Sequence, residues 1–350
     1  YKGLQNQNEL RKAKLSIIAS QYQLTKMQED IALNVANAFL QVLFNKENLK
    51  VQNEQMLINE KQLTRSQELV TAGTIPRGDL LDIKATLASD NQKVIAAENA
   101  VLISKLSLAQ LLQLDNFEDF DVADDTKAKD ENNILAQNPT EIYAKAKEGR
   151  TELKIAQTNL EIAEKNVAIA KGNFQPTLRG FYNFNSRISY ADIALRDSNG
   201  AIIGVQSAPP FFNQFSDNKG QSYGMQLNIP IFNGFSAKNN VERSKVSLEK
   251  SKIALEQQNL DLQRNVYTAF ADAKGALKSH ESALIALESR QASFNYAKDK
   301  FDVGLMNSFD LNQSQTLLAN AQSEVLRSKY DYIFKIKILE FYFGIPIIKN

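Results

Sequence analysis

The side chains that could carry chemistry in this chain are few and widely spaced. The sequence contains one histidine, His280, and no cysteine, which excludes disulfides, thiol catalysis and cysteine-based metal sites. A lone histidine does not form a zinc site, and His280, beside Lys278 and Glu281, is expected to be a solvated surface residue. No Ser/His/Asp set, nucleotide-binding loop or pair of catalytic carboxylates is apparent. The chain is therefore predicted not to be an enzyme and to hold no cofactor and no metal.

The most informative spacing lies in two short motifs, at residues 70–80 and 301–311. Each motif contains a glycine, five further residues and then Asp-Leu, and each separates two long stretches that are poor in glycine and proline. A glycine in the left-handed conformation commonly ends a helix, and an aspartate favours the positive end of the helix that follows. The motifs are therefore predicted to be the tips of two helical hairpins, with Asp79 and Asp310 capping the returning helices.

Long helices must position these tips. Neither glycine nor proline occurs in residues 4–72, 79–138 and 305–343, and apolar residues recur there every three or four positions. At 1.5 Å per residue, a helix over residues 5–72 would be on the order of 100 Å long, so its apolar stripe must be buried in a coiled coil or a bundle wall. The same pattern predicts further helices over residues 79–112 and 140–171.

Overall charge and hydropathy narrow the class of protein. The net charge is +1, from 41 basic and 40 acidic residues, so no nucleic-acid partner is indicated. No unbroken run of about 18 apolar residues is present, and no membrane-spanning helix is expected.

The second half of the chain repeats the first. A constant shift of 231 residues superimposes the two motifs and, without a gap over about 114 residues, aligns Gly3 with Gly234, Asn34-Val35 with Asn265-Val266, and Leu87-Ala88 with Leu318-Ala319. Two unrelated coiled coils would share apolar positions but not the glycine and aspartate of both tips, so we infer a duplication. Residues 139–231 precede the second copy and have no counterpart before residue 1. A helix and two strands are therefore expected upstream in the full-length gene product.

Composition and the repeat divide the chain into six parts. They are a first helical hairpin at 1–112, an acidic linker at 113–138 with a short strand near 117–122, a helix at 139–174 that leads the second repeat, a strand pair with its loop at 175–233, a second helical hairpin at 234–343, and a C-terminal segment at 344–350.

The predicted strands lie at residues 177–190 and 221–231. Both segments alternate, with aromatic and aliphatic residues on one side and Arg, Asn, Ser and Gln on the other. A half-buried hairpin in water is one reading, but the polar face and the length of about ten residues suit a transmembrane β-strand. The Gly-, Ser-, Asn- and Pro-rich residues 191–220 are predicted to be a loop. Two strands cannot close a barrel, and open edges are not tolerated in lipid, so such a barrel must be shared among chains.

The order of these features resembles the TolC family of outer-membrane efflux channels. The matching stretches are both hairpin tips, Asn228-Ile-Pro-Ile-Phe-Asn-Gly-Phe235, and Ala163 followed by Phe174-Gln-Pro176 at the start of a strand. The resemblance covers essentially the whole chain. It implies a mainly α fold with a small β part, in which a homotrimer builds a periplasmic α-barrel continuous with a 12-stranded outer-membrane β-barrel. The first strand pair of that barrel is missing from this sequence, and residues 113–138 and those after Gly344 would form an equatorial belt.

The resemblance also implies a function and partners. The chain would be the passive exit duct of a tripartite efflux pump or a type I secretion system in the outer membrane of a Gram-negative bacterium. It would extend into the periplasm, with outer-membrane lipid around its strands. A periplasmic adaptor and an inner-membrane RND, ABC or MFS transporter would engage the helical tips and open them.

The site residues that the family implies all lie at or beside the two tips. Adaptor docking would involve Ala72, Gly73, Thr74, Val303, Gly304 and Leu305, and the pore entrance would involve Phe301, Met306, Phe309, Asp310, Gln313 and Asp79. Asp310 would form a carboxylate ring that favours cations, but the second aspartate of the family is Gln313 here. Phe301 and Met306 replace a tyrosine and an arginine that latch the tip in the best-known members. An apolar constriction of Phe301, Met306 and Phe309 is therefore expected.

A periplasmic adaptor and a cytosolic coiled-coil scaffold are the alternatives to the channel. A periplasmic adaptor also contains long helical hairpins, but it would need β-rich lipoyl-like domains, which are not apparent. A cytosolic coiled-coil scaffold would not need strands that alternate between aromatic and polar residues. Dependence of the purified protein on detergent would distinguish the channel from both.

Overall fold

A computed structural model describes residues 1–115, 119–123 and 134–346. Its helices are α1 (Gln5–Thr71), α2 (Arg77–Leu111), α3 (Pro139–Gly149), α4 (Thr151–Lys171), α5 (Phe211–Asp217), α6 (Ser236–Asp302) and α7 (Ser308–Phe343). Its strands are β1 (Thr177–Asn185), β2 (Ile193–Arg196), β3 (Ile202–Gln206) and β4 (Gly220–Asn228), and short 3₁₀ turns span Ile134–Ala136 and Gly172–Phe174. The predicted fold class, mainly helical with a small β part, is confirmed.

The backbone repeats with the same shift as the sequence. A displacement of 231 residues carries both ends of α1 onto the ends of α6 and the start of α2 onto the start of α7. It also pairs residues with positive φ, which are Gly3 with Gly234, Leu4 with Phe235, Gly73 with Gly304, and Gln113 with Gly344. Helix ends that use the same unusual backbone conformation are strong evidence that the two halves are structural copies.

The chain forms two compact units. The first contains Tyr1–Ile18 and Gln157–Ile253, and the second contains Ala19–Ala156 and Ala254–Asn350. In the second unit, the core is built from helix faces whose apolar residues recur with helical spacing. Its larger cluster consists of Ile134, Ile142, Ala146, Leu153, Leu262, Val266, Ala269, Ala273, Ile336 and Leu339. A smaller cluster consists of Val42, Leu43, Leu108, Val122 and Tyr330.

The helix predicted over residues 140–171 is in fact two helices. The backbone is extended at Arg150, between α3 and α4. The Arg150 side chain is buried, its guanidinium lies 3.1 Å from Glu29 and 2.9 Å from Glu152, and it stacks 3.9 Å from the ring centre of Phe341. Sequence periodicity missed the break because these long-range contacts hold the arginine out of helical geometry.

In the first unit, β1 and β4 form an antiparallel pair, from Thr177 opposite Asn228 to Asn185 opposite Gly220. Side chains alternate across this pair as predicted. One face carries Leu178, Tyr182, Phe184, Tyr223, Met225 and Leu227, all exposed in this chain. The other face carries Arg179, Asn183, Ser222 and Gln226, with the Phe181 ring packed over Gly224.

The predicted ends of both strands were wrong. β1 stops at Asn185 because the chain beyond it is bound by side chains of the loop. The Gln214 side chain accepts a hydrogen bond from the backbone of Ser189, and Asn218 donates one to the carbonyl of Arg187. β4 stops at Asn228, before Pro230, which has no amide hydrogen for a ladder.

The region predicted as a loop, residues 191–220, is also more ordered than expected. It contains the hairpin of β2 and β3 and the short helix α5.

The acidic linker is described only in part. The predicted strand near 117–122 falls partly outside the described residues, and residues 119–123 contain no strand. Instead, Val122 is buried in the smaller core cluster, and Lys46 bonds to the Val122 carbonyl and to Asp121. Of the predicted C-terminal segment, residues 347–350 lie outside the described residues.

One described helix, α2, is long and apolar enough to cross a membrane by length and composition alone. The sequence predicted no membrane-spanning helix because it contains no unbroken run of about 18 apolar residues. α2 meets a looser criterion, which asks only for high mean hydropathy and few charged residues. A single helix of this kind is weak evidence for a membrane span.

The repeat offers a matched test of backbone packing at Gly3 and Gly234, whose φ values are +56° and +59°. A Cβ on Gly3 would lie 2.5 Å from the carbonyl oxygen of Gly172, whereas nothing lies within 4 Å of a Cβ on Gly234. Both Gly→Ala changes should cost about 1–2 kcal/mol of left-handed strain, and Gly3→Ala should lose more through the clash. Thermal unfolding in detergent measures both, and equal losses would contradict this packing.

Candidate functional site

The two hairpin tips have the same local geometry. At the first tip, Gly73 (φ +72°) follows α1, and the Thr74 amide donates to the Leu69 carbonyl at 2.9 Å. At the second tip, Gly304 (φ +76°) follows α6, and the Leu305 amide donates to the Lys300 carbonyl at 2.8 Å. These are Schellman motifs, in which a left-handed residue lets the chain leave the helix while satisfying its last carbonyls.

The predicted caps of the returning helices were wrong. The cap of α7 is Asn307, whose side chain accepts a 2.8 Å hydrogen bond from the Asp310 amide, and α2 begins after Pro76 without a side-chain cap. Asp79 and Asp310 lie in the first turns, where a negative charge still favours the helix dipole.

The residues predicted at the pore entrance and at the docking surface differ in exposure. Phe309, Asp310 and Gln313 are exposed, whereas Phe301, Met306 and Asp79 are half-buried. The predicted docking residues Ala72, Gly73, Thr74, Val303, Gly304 and Leu305 are all exposed. The second unit thus presents both tip loops on its surface, while the leucines that end the two motifs, Leu80 and Leu311, are buried beneath them.

Near the tips, an ion pair joins the two hairpins. The guanidinium of Arg65, on α1, lies 2.6 Å from the carboxylate of Asp302, the last residue of α6. Both side chains are partly exposed, so the pair contributes little to overall stability, at about 0.2–1 kcal/mol. It nevertheless connects the outgoing helices of the two repeats close to their tips. Sequence reasoning missed the pair because its members are 237 residues apart and lie outside both motifs.

Further from the tips, a buried polar cluster connects three helices. Asn59 on α1, Asp90 on α2 and Gln315 on α7 are each at most 3% exposed. Gln315 donates to the Asn59 side-chain oxygen at 2.9 Å, the Asn59 amide donates to Asp90, and Lys93 lies 2.9 Å from Asp90. Because a buried charge is costly unless it is paired and hydrogen-bonded, these contacts hold α7 against the first hairpin in one arrangement.

A signal for this cluster exists in the sequence. Met56, Leu63 and Val70 are spaced by seven, and Asn59 and Ser66, both buried, lie three residues after the first two. These are the alternate seam positions of a heptad repeat, where a polar residue fixes register at a cost in stability. The heptad spacing of these residues therefore indicates where buried polar residues lie on α1.

His280 is not the solvated residue that the sequence suggested. It is half-buried, and its Nδ1 lies 3.2 Å from the Ser328 hydroxyl. Burial, and then the nearby Lys329, lower the pKa of His280. Within the described residues, no group of three or more His, Cys, Asp or Glu side chains is arranged to hold a metal.

Solved structures define the class of this fold. VceC of Vibrio cholerae superimposes with a TM-score of 0.77 at 13% identity, covering 98% of this chain and 76% of VceC. CmeC of Campylobacter jejuni gives 0.75 at 16% identity, covering 97% and 68%. The open state of MtrE of Neisseria gonorrhoeae gives 0.75 at 14% identity, covering 97% and 72%. All three are outer-membrane proteins, and at such low identity the likeness establishes the fold, that of the TolC-like outer-membrane channels.

The family itself is defined by sequence. The family model described as outer membrane efflux protein matches residues 1–113 and 142–337, and the chain belongs to this family. No curated protein sequence is significantly similar to it. Family membership confirms the resemblance and the outer-membrane localisation. It also selects the channel class over the adaptor and scaffold alternatives.

The buried cluster can be tested by removing its charge. Asp90→Ala leaves the Asn59 amide without its acceptor, so the free energy of unfolding should fall by about 1–3 kcal/mol. The control Asp82→Ala removes an exposed carboxylate from the same helix and should change stability by less than about 0.5 kcal/mol. Chemical denaturation in detergent measures both, and equal effects would show that the cluster is not stabilising.

Proposed function

We propose that this protein is the passive, trimeric exit duct of a tripartite efflux pump or a type I secretion system, gated at its periplasmic tips. The observation that carries the gating proposal is the pair of polar connections between the hairpins near those tips. Arg65 with Asp302, and Gln315 with Asn59, connect the second hairpin to the first, and Asp90 accepts a hydrogen bond from the Asn59 amide within the first hairpin. Opening would require these contacts to separate or rearrange in every protomer.

The remaining parts of the proposal concern assembly. In a homotrimer, the strand pairs of three protomers would share their edges in one barrel, since β1 and β4 alone leave open edges that lipid does not tolerate. The exposed aromatic and aliphatic face of this pair would contact outer-membrane lipid, and the face with Arg179 and Asn183 would line water. The six-part division of the chain given above, with its equatorial belt, belongs to the same proposal.

Partner docking would take place at the tip loops. Val303 and Leu305 are 70% and 77% exposed, and apolar side chains held this far into solvent on a rigid turn suit a contact with another protein. A periplasmic adaptor is the proposed partner, and an RND, ABC or MFS transporter in the inner membrane would supply the energy. The duct itself would perform no chemistry.

The ion pair provides a first test of gating. In planar bilayers, Arg65→Ala or Asp302→Ala should raise the open probability by up to about fivefold per protomer, since an exposed pair contributes at most ~1 kcal/mol. The double variant Arg65→Asp with Asp302→Arg exchanges the two charges, so the side chains still attract each other. Its open probability should return towards that of the native protein. Single variants that leave the open probability unchanged would remove the pair from the gate.

The proposed carboxylate ring provides a second test. Asp310→Asn removes three charges from the entrance of a trimer and should lower its preference for cations over anions, measured as a reversal potential in a salt gradient. Glu98→Gln removes a charge from an exposed position of α2 about five turns beyond Asp79 and serves as the matched control. Unchanged selectivity in Asp310→Asn would exclude Asp310 from the entrance.

A further inference from the structure

The short helix α5 carries an unusual concentration of exposed aromatic rings. Phe211, Phe212 and Phe215 all lie on this seven-residue helix and are 45%, 80% and 40% exposed. The rings pack on one another, with centroids 5.3 Å apart for Phe211 and Phe212 and 6.2 Å apart for Phe211 and Phe215. Together with Phe184, whose ring centre is 6.0 Å from that of Phe215, they form one continuous patch, the α5 aromatic patch.

The α5 aromatic patch is held in a defined position at the end of β1. Gln214 lies on α5 between the phenylalanines and is buried, and its side chain accepts a 2.8 Å hydrogen bond from the Ser189 amide. The Ser186 hydroxyl donates to the Phe215 carbonyl at 3.2 Å, and Asn218 donates to the Arg187 carbonyl at 2.7 Å. These bonds tie the C-terminal half of α5 to the chain that leaves β1, so the helix has a defined position beside the strand.

The position of Phe184 shows on which face of the strand pair the α5 aromatic patch lies. Phe184 shares a face of β1 with Leu178 and Tyr182, because side chains two residues apart lie on the same side of a strand. The polar side chains Arg179 and Asn183 lie on the opposite face. Since Phe215 packs on Phe184, the patch continues the apolar face beyond the end of the strand pair.

In a protein of the outer membrane, that continuity indicates what covers the patch. If β1 and β4 cross the bilayer, as proposed above, their apolar face contacts lipid, and aromatic residues at the ends of such strands lie at the boundary between acyl chains and headgroups. We propose that the α5 aromatic patch is a membrane anchor that inserts into this boundary. The inference rests on the proposed assignment of β1 and β4 as membrane strands.

The sequence allows a direct test, because it contains no tryptophan. Phe212→Trp therefore introduces a single fluorescent reporter at the most exposed ring of the patch. The protein would be reconstituted into phosphatidylcholine vesicles whose acyl chains are either unmodified or brominated close to the headgroup, with folding checked by circular dichroism. We expect a blue-shifted emission that loses most of its intensity in the brominated vesicles. Phe211→Trp provides a second reporter on the same patch if the first variant does not fold.

Two variants of β1 test whether the strands cross the membrane, independently of the proposed anchor. Tyr182→Trp reports on the apolar face of β1 and should be quenched by brominated lipid, whereas Asn183→Trp on the opposite face should not be. Quenching of Tyr182→Trp without quenching of Phe212→Trp would overturn the anchor and leave the membrane strands intact. A blue-shifted but unquenched Phe212→Trp would mean that protein covers the patch, which also overturns the proposal. Failure of Tyr182→Trp to be quenched would contradict the membrane strands themselves.

Discussion

The buried contact among Asn59, Asp90 and Gln315 is the interaction on which the arrangement of the two hairpins depends. It brings one side chain from each of α1, α2 and α7 together in a buried seam, where they hydrogen-bond to one another. Apolar contacts between two long helices stay favourable when one helix slides along the other. A buried carboxylate does not allow such sliding, because its hydrogen bonds offset the cost of desolvation only in one register. The contact therefore costs some stability relative to an apolar seam, and in return it fixes the register of α1 against α2 and, through the Gln315–Asn59 hydrogen bond, that of α7 against α1.

The residues of this contact differ between the two copies of the duplicated unit. The two repeats share their helix limits and left-handed termini, so each supplies the same scaffold. The polar residues are not shared, since the shift of 231 places Arg290 opposite Asn59, Ala321 opposite Asp90, and Lys84 opposite Gln315. The two hairpins thus share a scaffold, while the polar residues that join them belong to one copy or the other. Comparing one repeat with the other cannot reveal such a contact, because it exists only between different residues of the two copies.

Much of the fold could be predicted from the sequence, because long helices with regular apolar spacing and glycine-ended tips depend on local rules. The limits of α1 and α6, the alternation of β1 and the duplication belong to this group. The predictions that were wrong depend on contacts between distant residues. The break at Arg150 requires Glu29 and Phe341, and the early end of β1 requires Gln214 and Asn218. Within the candidate site, the exposed tip loops could be predicted from their motifs. The N-cap of α7 could not, because Asn307 rather than Asp310 occupies that position.

We propose that separation of the two hairpins near their tips opens the channel. Because the chain contains no native cysteine, Arg65→Cys with Asp302→Cys introduces two unique thiols at the ends of the inter-hairpin ion pair. A short, cleavable bis-methanethiosulfonate reagent can then join them, with conductance recorded in planar bilayers before and after reduction. The account predicts that the joined protein stays at low conductance and reaches its open level only after the link is cleaved. A joined protein that opens as fully as the cleaved one would contradict it.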